Sequence, residues 1–215
     1  MENEFSQNNL KNRRIERAVD ISAELFLKRG IDNVKMTDIA EESGIGVATL
    51  YRYFGTKTGV TITVMTHLWN NLKEMFSGVF DSEVFRSQKG IKQVKDLMRM
   101  FIVLYTTHKD FMKLLGEFDL FIIREQVPKE KLENYEKSII NFYPIFETSC
   151  KVGIEDGSIR DNVNFQLFYT TYAHALMELI KKLLQGELLP NDNFSNGEKE
   201  LEMLVECAVN YIKKT

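Results

Sequence analysis

The segment that most constrains this chain is Thr37–Lys57, TDIAEESGIGVATLYRYFGTK. Two short apolar-periodic stretches flank a tight turn, Ser43-Gly44-Ile45-Gly46, which is the helix-turn-helix pattern. Helices this short are unstable alone, so a third helix must wall them in. The preceding residues supply one, because Ile15, Ala18, Val19, Ser22, Leu25 and Phe26 recur at helical spacing. That helix is predicted to stop at Lys28-Arg29-Gly30, with cations in the last turn before a glycine able to take the left-handed cap. Thr37 is the predicted N-cap of the second helix, with Asp38 and Glu41 in its positive first turn. A third helix is predicted from Val47 to Phe54. Ile39, Ala40, Ile45, Leu50 and Phe54 are the candidate core positions, and Gly44 supplies the positive φ of the turn.

What remains outward is Gly46, Val47, Ala48, Thr49, Tyr51, Arg52 and Tyr53, and no acid lies between Glu42 and Lys57. A carboxylate-free helix that starts with small residues suits a DNA major groove. Thr49 can bond a base edge or touch a thymine methyl. Tyr51, Arg52, Tyr53 and Lys57 can hold phosphates and fix the register. Thr37, at a helix N-terminus, can present its amide to a phosphate. The net charge of −3 does not oppose this reading, because residues 9–57 carry nine Lys/Arg against seven Asp/Glu. Lys11, Arg13, Arg14 and Arg17 concentrate the excess. They mark either a DNA-backbone arm or a solvated tail.

The rest of the chain also reads as helix. There are three prolines and no period-two alternation bounded by turns, so the predicted class is all-α. Helices are predicted near 57–80, 90–108, 110–124, 128–153, 164–186 and 197–213, with Pro144 kinking the fourth of these. The last two are apolar on two sides. Phe168, Tyr172, Leu176 and Leu179 on one, with Leu204, Val205, Ala208 and Ile212 on the other, suit a four-helix interface with a second copy. The many aromatic residues beyond residue 58 read first as core.

Residues 13–63 resemble the N-terminal domain of the TetR (tetracycline-repressor) family of transcriptional regulators. The resemblance rests on LFLKRG (Leu25–Gly30), MTDIAEESGIG (Met36–Gly46) and TLYRYFGTK (Thr49–Lys57). It implies a flexible arm over 1–12, a three-helix bundle with the helix-turn-helix over 13–56, and a larger helical effector-binding and dimerisation domain over 57–215. It also implies that Val47, Ala48 and Thr49 approach bases, that Tyr51, Tyr53 and Lys57 lie against the DNA backbone, and that a homodimer binds a palindromic operator. Most members of the family repress. A small effector, apolar or aromatic here, would occupy a cavity; Trp69, Phe101, Tyr105, Phe118, Phe121, Phe142 and Phe146 are the candidate lining. The helix starting at Lys57 would carry the coupling, bending at Gly55 or Gly59.

Other classes find less support. His67, His108 and His174 are far apart, with no glycine-rich phosphate loop or metal-ligand spacing, so neither an enzyme nor a cofactor is expected. Cys150 would need a lowered pKa to act as a redox switch. The opening MENEFSQNNLKNRR has no apolar h-region, and no stretch is long enough to span a membrane, so a cytoplasmic location is expected. The alternative reading is a helical protein whose helix-turn-helix docks a protein partner.

Overall fold

The computed structural model describes residues 2–186 and 190–214, with side chains from Asn9 onward. Eleven α-helices and one 3-10 turn are found among them, and no strand; one isolated bridge joins Ile159 and Lys213. The helices are α1 (Glu2–Arg29), α2 (Met36–Ser43), α3 (Val47–Phe54), α4 (Lys57–Phe80), α5 (Glu83–Arg86), α6 (Gly90–Thr107), α7 (Lys109–Arg124), α8 (Glu133–Ser138), α9 (Tyr143–Glu155), α10 (Phe165–Gln185) and α11 (Gly197–Ile212). The all-α class is as predicted. No helix among the described residues is long and apolar enough to cross a membrane.

Three local expectations change. The residues expected as an arm are helical from Glu2 onward, because the chain has no glycine or proline before Gly30 and is rich in good helix formers; the side chains of the first eight lie outside the described residues. The predicted helix 128–153 is broken into the 3-10 turn Lys129–Leu132, α8 and α9. Pro144 does not kink a helix; it sits in the first turn of α9, where its missing N–H costs nothing. Lys35, not Thr37, is the N-cap of α2. Asp38 reaches back to accept from the Lys35 amide at 2.9 Å, so the helix starts earlier than the hydroxyl suggests.

The chain divides into two compact units. The first holds residues 1–73 and 114–140, the second 74–113 and 141–215. In the first, α2 packs on α1 and α3 on α2. Ala18, Phe26, Ile31, Val34, Ile39 and Leu50 are each no more than 1% exposed there. Gly30 ends α1 at φ +78°, and Gly44 ends α2 at φ +68°, both as their positions require. The turn after α1 is held by α7, because Glu117 accepts from the Ile31 amide at 2.9 Å. Its carboxylate lies 2.7 Å from where a Cβ on Gly30 would stand. Arg124 forms a two-pronged pair with Asp32, and that guanidinium holds the Asp32 carboxyl below its ordinary value.

In the second unit, α6 is sandwiched by α9 and α11, with α10 beside them. The closest approach is glycine on glycine: a Cβ on Gly90 would fall 2.1 Å from the Gly153 nitrogen. This juxtaposition sets the start of α6 against α9. Asp156 then caps α6, accepting from the Gly90 amide at 2.7 Å and the Ser158 amide at 2.8 Å. The Ser158 hydroxyl accepts from Ile91.

The Ser158 hydroxyl, and then the Gly90 and Ser158 amides, hold the Asp156 carboxyl below the usual carboxylate range. A depressed carboxyl stabilises the fold above its unfolded pKa, about 4, and that contribution is lost as pH falls through the folded value. Asp156→Ala is therefore expected to cost about 1 kcal/mol at neutral pH, the usual worth of a helix cap. Thermal melts of both proteins should draw together as pH drops below about 4; a gap independent of pH would refute the cap.

Candidate nucleic-acid interface and apolar cavity

α3 carries one fully buried side chain, Leu50 at 0% exposure. Ile39 and Ile45 are buried with it, whereas Ala40 and Phe54 are only half-buried. The helix is set at both ends by backbone: the Thr49 and Leu50 amides bond the Gly46 carbonyl, at 2.8 and 3.1 Å, and the Gly55 amide bonds the Tyr51 carbonyl at 2.8 Å. Gly55 holds φ +74°. A Cβ on Gly59 would stand 1.9 Å from the Phe54 carbonyl oxygen. Gly55 and Gly59, expected as places to bend, are thus explained by a left-handed turn and by close packing of α4 on the end of α3.

The outward residues fall as predicted. Thr37, Ala48, Tyr51 and Arg52 are exposed, and Val47, Thr49 and Tyr53 are half-buried. Tyr51 is 48% exposed. Arg52 lies over the Tyr53 ring, 5.6 Å from its centroid, which holds the guanidinium against the helix. Lys57 is placed differently from the others. Its ammonium bonds the Asp32 carbonyl at 3.4 Å, and partial burial lowers its pKa against the pull of Asp32. It braces the corner before α2 as well as facing the helix-turn-helix.

The seven aromatic residues expected around one cavity do not all meet. Phe101, Phe142 and Phe146 line an apolar cavity in the second unit with Leu97, Met98, Phe168, Tyr169 and Ala173. Its volume is about 10 Å³, room for roughly one water. Trp69, Phe118 and Phe121 lie in the first unit. There Trp69 donates to the Tyr135 hydroxyl at 3.3 Å and Phe118 tilts against the same ring at 4.8 Å. Tyr105 stands at the start of α11, its hydroxyl 2.6 Å from a Cβ placed on Gly197. Helical periodicity gives the face of a residue but not its level along α4 or α7, each of which has residues in both units. Tyr169 escapes the sequence reading because it merges into the broad α10 stripe. It brings a hydroxyl to the cavity lining, and burial raises its pKa.

The expected dimer residues also divide. Leu176, Val205, Ala208 and Ile212 are 0% exposed and Phe168 is 5% exposed within one chain; they are core, because α6 and α9 cover the inner sides of α10 and α11. Tyr172, Leu179 and Leu204 are half-buried. Leu167, Met203 and Tyr211 are the exposed large apolar residues on these two helices, so the outward face differs from the one expected. Cys150 is buried, and burial with nearby Glu147 pushes its thiol up to about 12, the reverse of what a redox switch needs.

Residues 19–62 match the family described as bacterial regulatory proteins, tetR family. An HTH-type transcriptional regulator of Staphylococcus aureus (strain bovine RF122 / ET3-1) is 35% identical over 66 residues, 31% of this chain and 36% of that protein. The matches to curated relatives thus span about a third or less of their length. Among solved structures, a TetR transcription regulator from Haloarcula marismortui superposes with a TM-score of 0.73 at 11% identity, over 94% of this chain and 100% of that one. A transcriptional regulator from Saccharomonospora viridis in complex with choline gives 0.68 at 16% identity, over 95% and 99%. At such identities these likenesses concern the fold. The chain belongs to the tetR family of bacterial regulatory proteins, through the sequence of its segment 19–62 and through the fold that carries that segment.

Proposed function

We propose that the chain is a DNA-binding transcriptional regulator, a repressor that holds a palindromic operator as a homodimer and leaves it when a small apolar or aromatic effector binds. One observation carries the reading. α3 is anchored by Leu50 alone and turns an acid-free surface of Ala48, Thr49, Tyr51 and Arg52 to solvent. Polyanion binding needs such a surface, and the small residues near the helix start permit close approach to base edges. The outer faces of α10 and α11, with Leu167, Met203 and Tyr211, support pairing of two copies. A two-fold would set the two reading helices about one DNA turn apart, roughly 34–36 Å.

The effector class follows from the cavity lining of rings, aliphatic chains and the Tyr169 hydroxyl. The Saccharomonospora regulator holds choline, a cation; the lining here has no carboxylate, so a neutral apolar or aromatic molecule suits it better. The cavity must widen to admit one. The reading includes no catalytic step.

Duplexes retained by the full chain from a random library test the DNA reading. Binding should weaken steeply with salt, with a log–log slope of roughly −5 to −6 if five to seven phosphates are neutralised. Tyr51→Ala should weaken every sequence alike, whereas Thr49→Val should lose about 1 kcal/mol of preference at one base step. Recovery of no competitor-resistant complex would favour a protein-docking role instead.

The effector reading makes a separate prediction. Screening neutral aromatic compounds by thermal shift should yield a stabiliser that weakens operator binding five- to 150-fold, about 1–3 kcal/mol of coupling. Ala173→Phe, which fills the cavity, should abolish the shift and keep DNA binding. A stabiliser that still shifts this variant must bind elsewhere.

A further inference from the structure

The helix-turn-helix does not account for the whole basic surface of the first unit. α1 is exposed from Asn9 to Arg14 and becomes buried only at Ala18. Its exposed end contributes Leu10, Lys11 and Arg14 to an open groove of about 370 Å³, closed on the other side by Arg52 and Tyr53 of α3. Three cations therefore share one groove with no acid in its walls. Among the described residues, none of the three is paired with a carboxylate. Like charges gathered this way repel one another, and the arrangement is relieved by an anion between them.

The groove also has a definite place on the reading helix. α3 runs from Val47 to Phe54, about 12 Å at 1.5 Å per residue, comparable to the width of a major groove, about 12 Å. In helix-turn-helix docking the N-terminal residues of the reading helix meet the bases. Arg52 and Tyr53, at the other end, then come out beside a sugar–phosphate strand. Lys11 and Arg14 face them.

Resting on the DNA reading above, we propose that Lys11, Arg14 and Arg52, with Tyr53 as a wall, form a phosphodiester seat. It takes the DNA strand that borders the groove entered by α3. The seat is preformed by two helices, so it is a positioning clamp rather than a trailing arm. Its grip on the backbone carries no sequence information and adds affinity to all duplexes alike. The Arg52–Tyr53 stacking presents the guanidinium edge, a geometry suited to two-pronged phosphate binding.

The test uses the full chain and the duplex it retains from a random library, followed by anisotropy across a salt series. The double variant Lys11→Ala, Arg14→Ala should bind about ten-fold more weakly at moderate salt, with a slope shallower by about 1 for each phosphate left without its cation. Its ranking of base preferences should stay that of the parent. Lys28→Ala, at the far end of α1, should change nothing, and Arg14→Lys should recover most of the slope. Both groove side chains are exposed, so an unchanged circular dichroism melt is expected. A double variant with the parent's slope and affinity, or one with altered base preference, would overturn the seat while leaving the DNA reading intact. Failure of the unaltered protein to retain any duplex would overturn the reading itself.

Discussion

Leu50 is the single fully buried side chain of α3, and the rest of the DNA-facing surface depends on it. An eight-residue helix is too short to persist by its own hydrogen bonds. It exists because Leu50 enters the core made by Ala18, Phe26 and Ile39, and because backbone fixes both its ends. Gly44 and Gly55 take positive φ at the turns before and after it. Gly59 lets the Phe54 carbonyl come within van der Waals reach of α4. With one side chain inward, most of the helix must face out. The exposure of Tyr51 and Arg52 is thus a consequence of how little of α3 the core uses.

The three-helix core is itself too small to be well supported alone. Its first unit also takes in the start of α4 and the C-terminal part of α7 with α8. Glu117 satisfies the Ile31 amide and Arg124 holds Asp32, so the corner between α1 and α2 is pinned by residues 86 and 92 positions away in sequence. Lys57 joins the same corner through the Asp32 carbonyl. A surface pair such as Asp32–Arg124 contributes little stability. Its value lies in direction: the corner that sets the angle of α2, and through it α3, is fixed from α7.

The amino-acid sequence discloses this site better than the cavity, and the reason is physical. The bounds of α3, its exposed side, and the glycines at 30 and 44 follow from local rules: period, missing carboxylates, and positive φ. Thr37 misleads because two good local signals compete, and the Asp38 carboxylate bonding the Lys35 amide wins. Pro144 misleads because apolar periodicity runs on through a break that the residues Asn141 to Tyr143 do not announce. Trp69, Phe118 and Phe121 have the same pattern as Phe101 and Phe146 but serve a different core. A stripe of apolar residues fixes a rotation about the helix axis and says nothing of the height at which a neighbour meets it.

The two regions differ in the kind of energy they store. The cavity beside Phe146 is almost closed, and its rings are packed against each other: Phe146 stacks on Phe168 at 5.7 Å, which stacks on Tyr211 at 5.9 Å, beneath the Arg160 guanidinium at 4.4 Å. An apolar guest must separate rings that already touch, so its affinity is the dispersion attraction it makes less the ring–ring attraction it disrupts. Any such guest moves Phe168, and Tyr211 rides on Phe168 at the exposed edge of α11. A surface that pairs two copies through α10 and α11 would therefore feel the guest directly, by displacement of a ring column. The DNA face has no comparable store. Its side chains stand in water, its cations repel, and it gains energy only when a polyanion arrives.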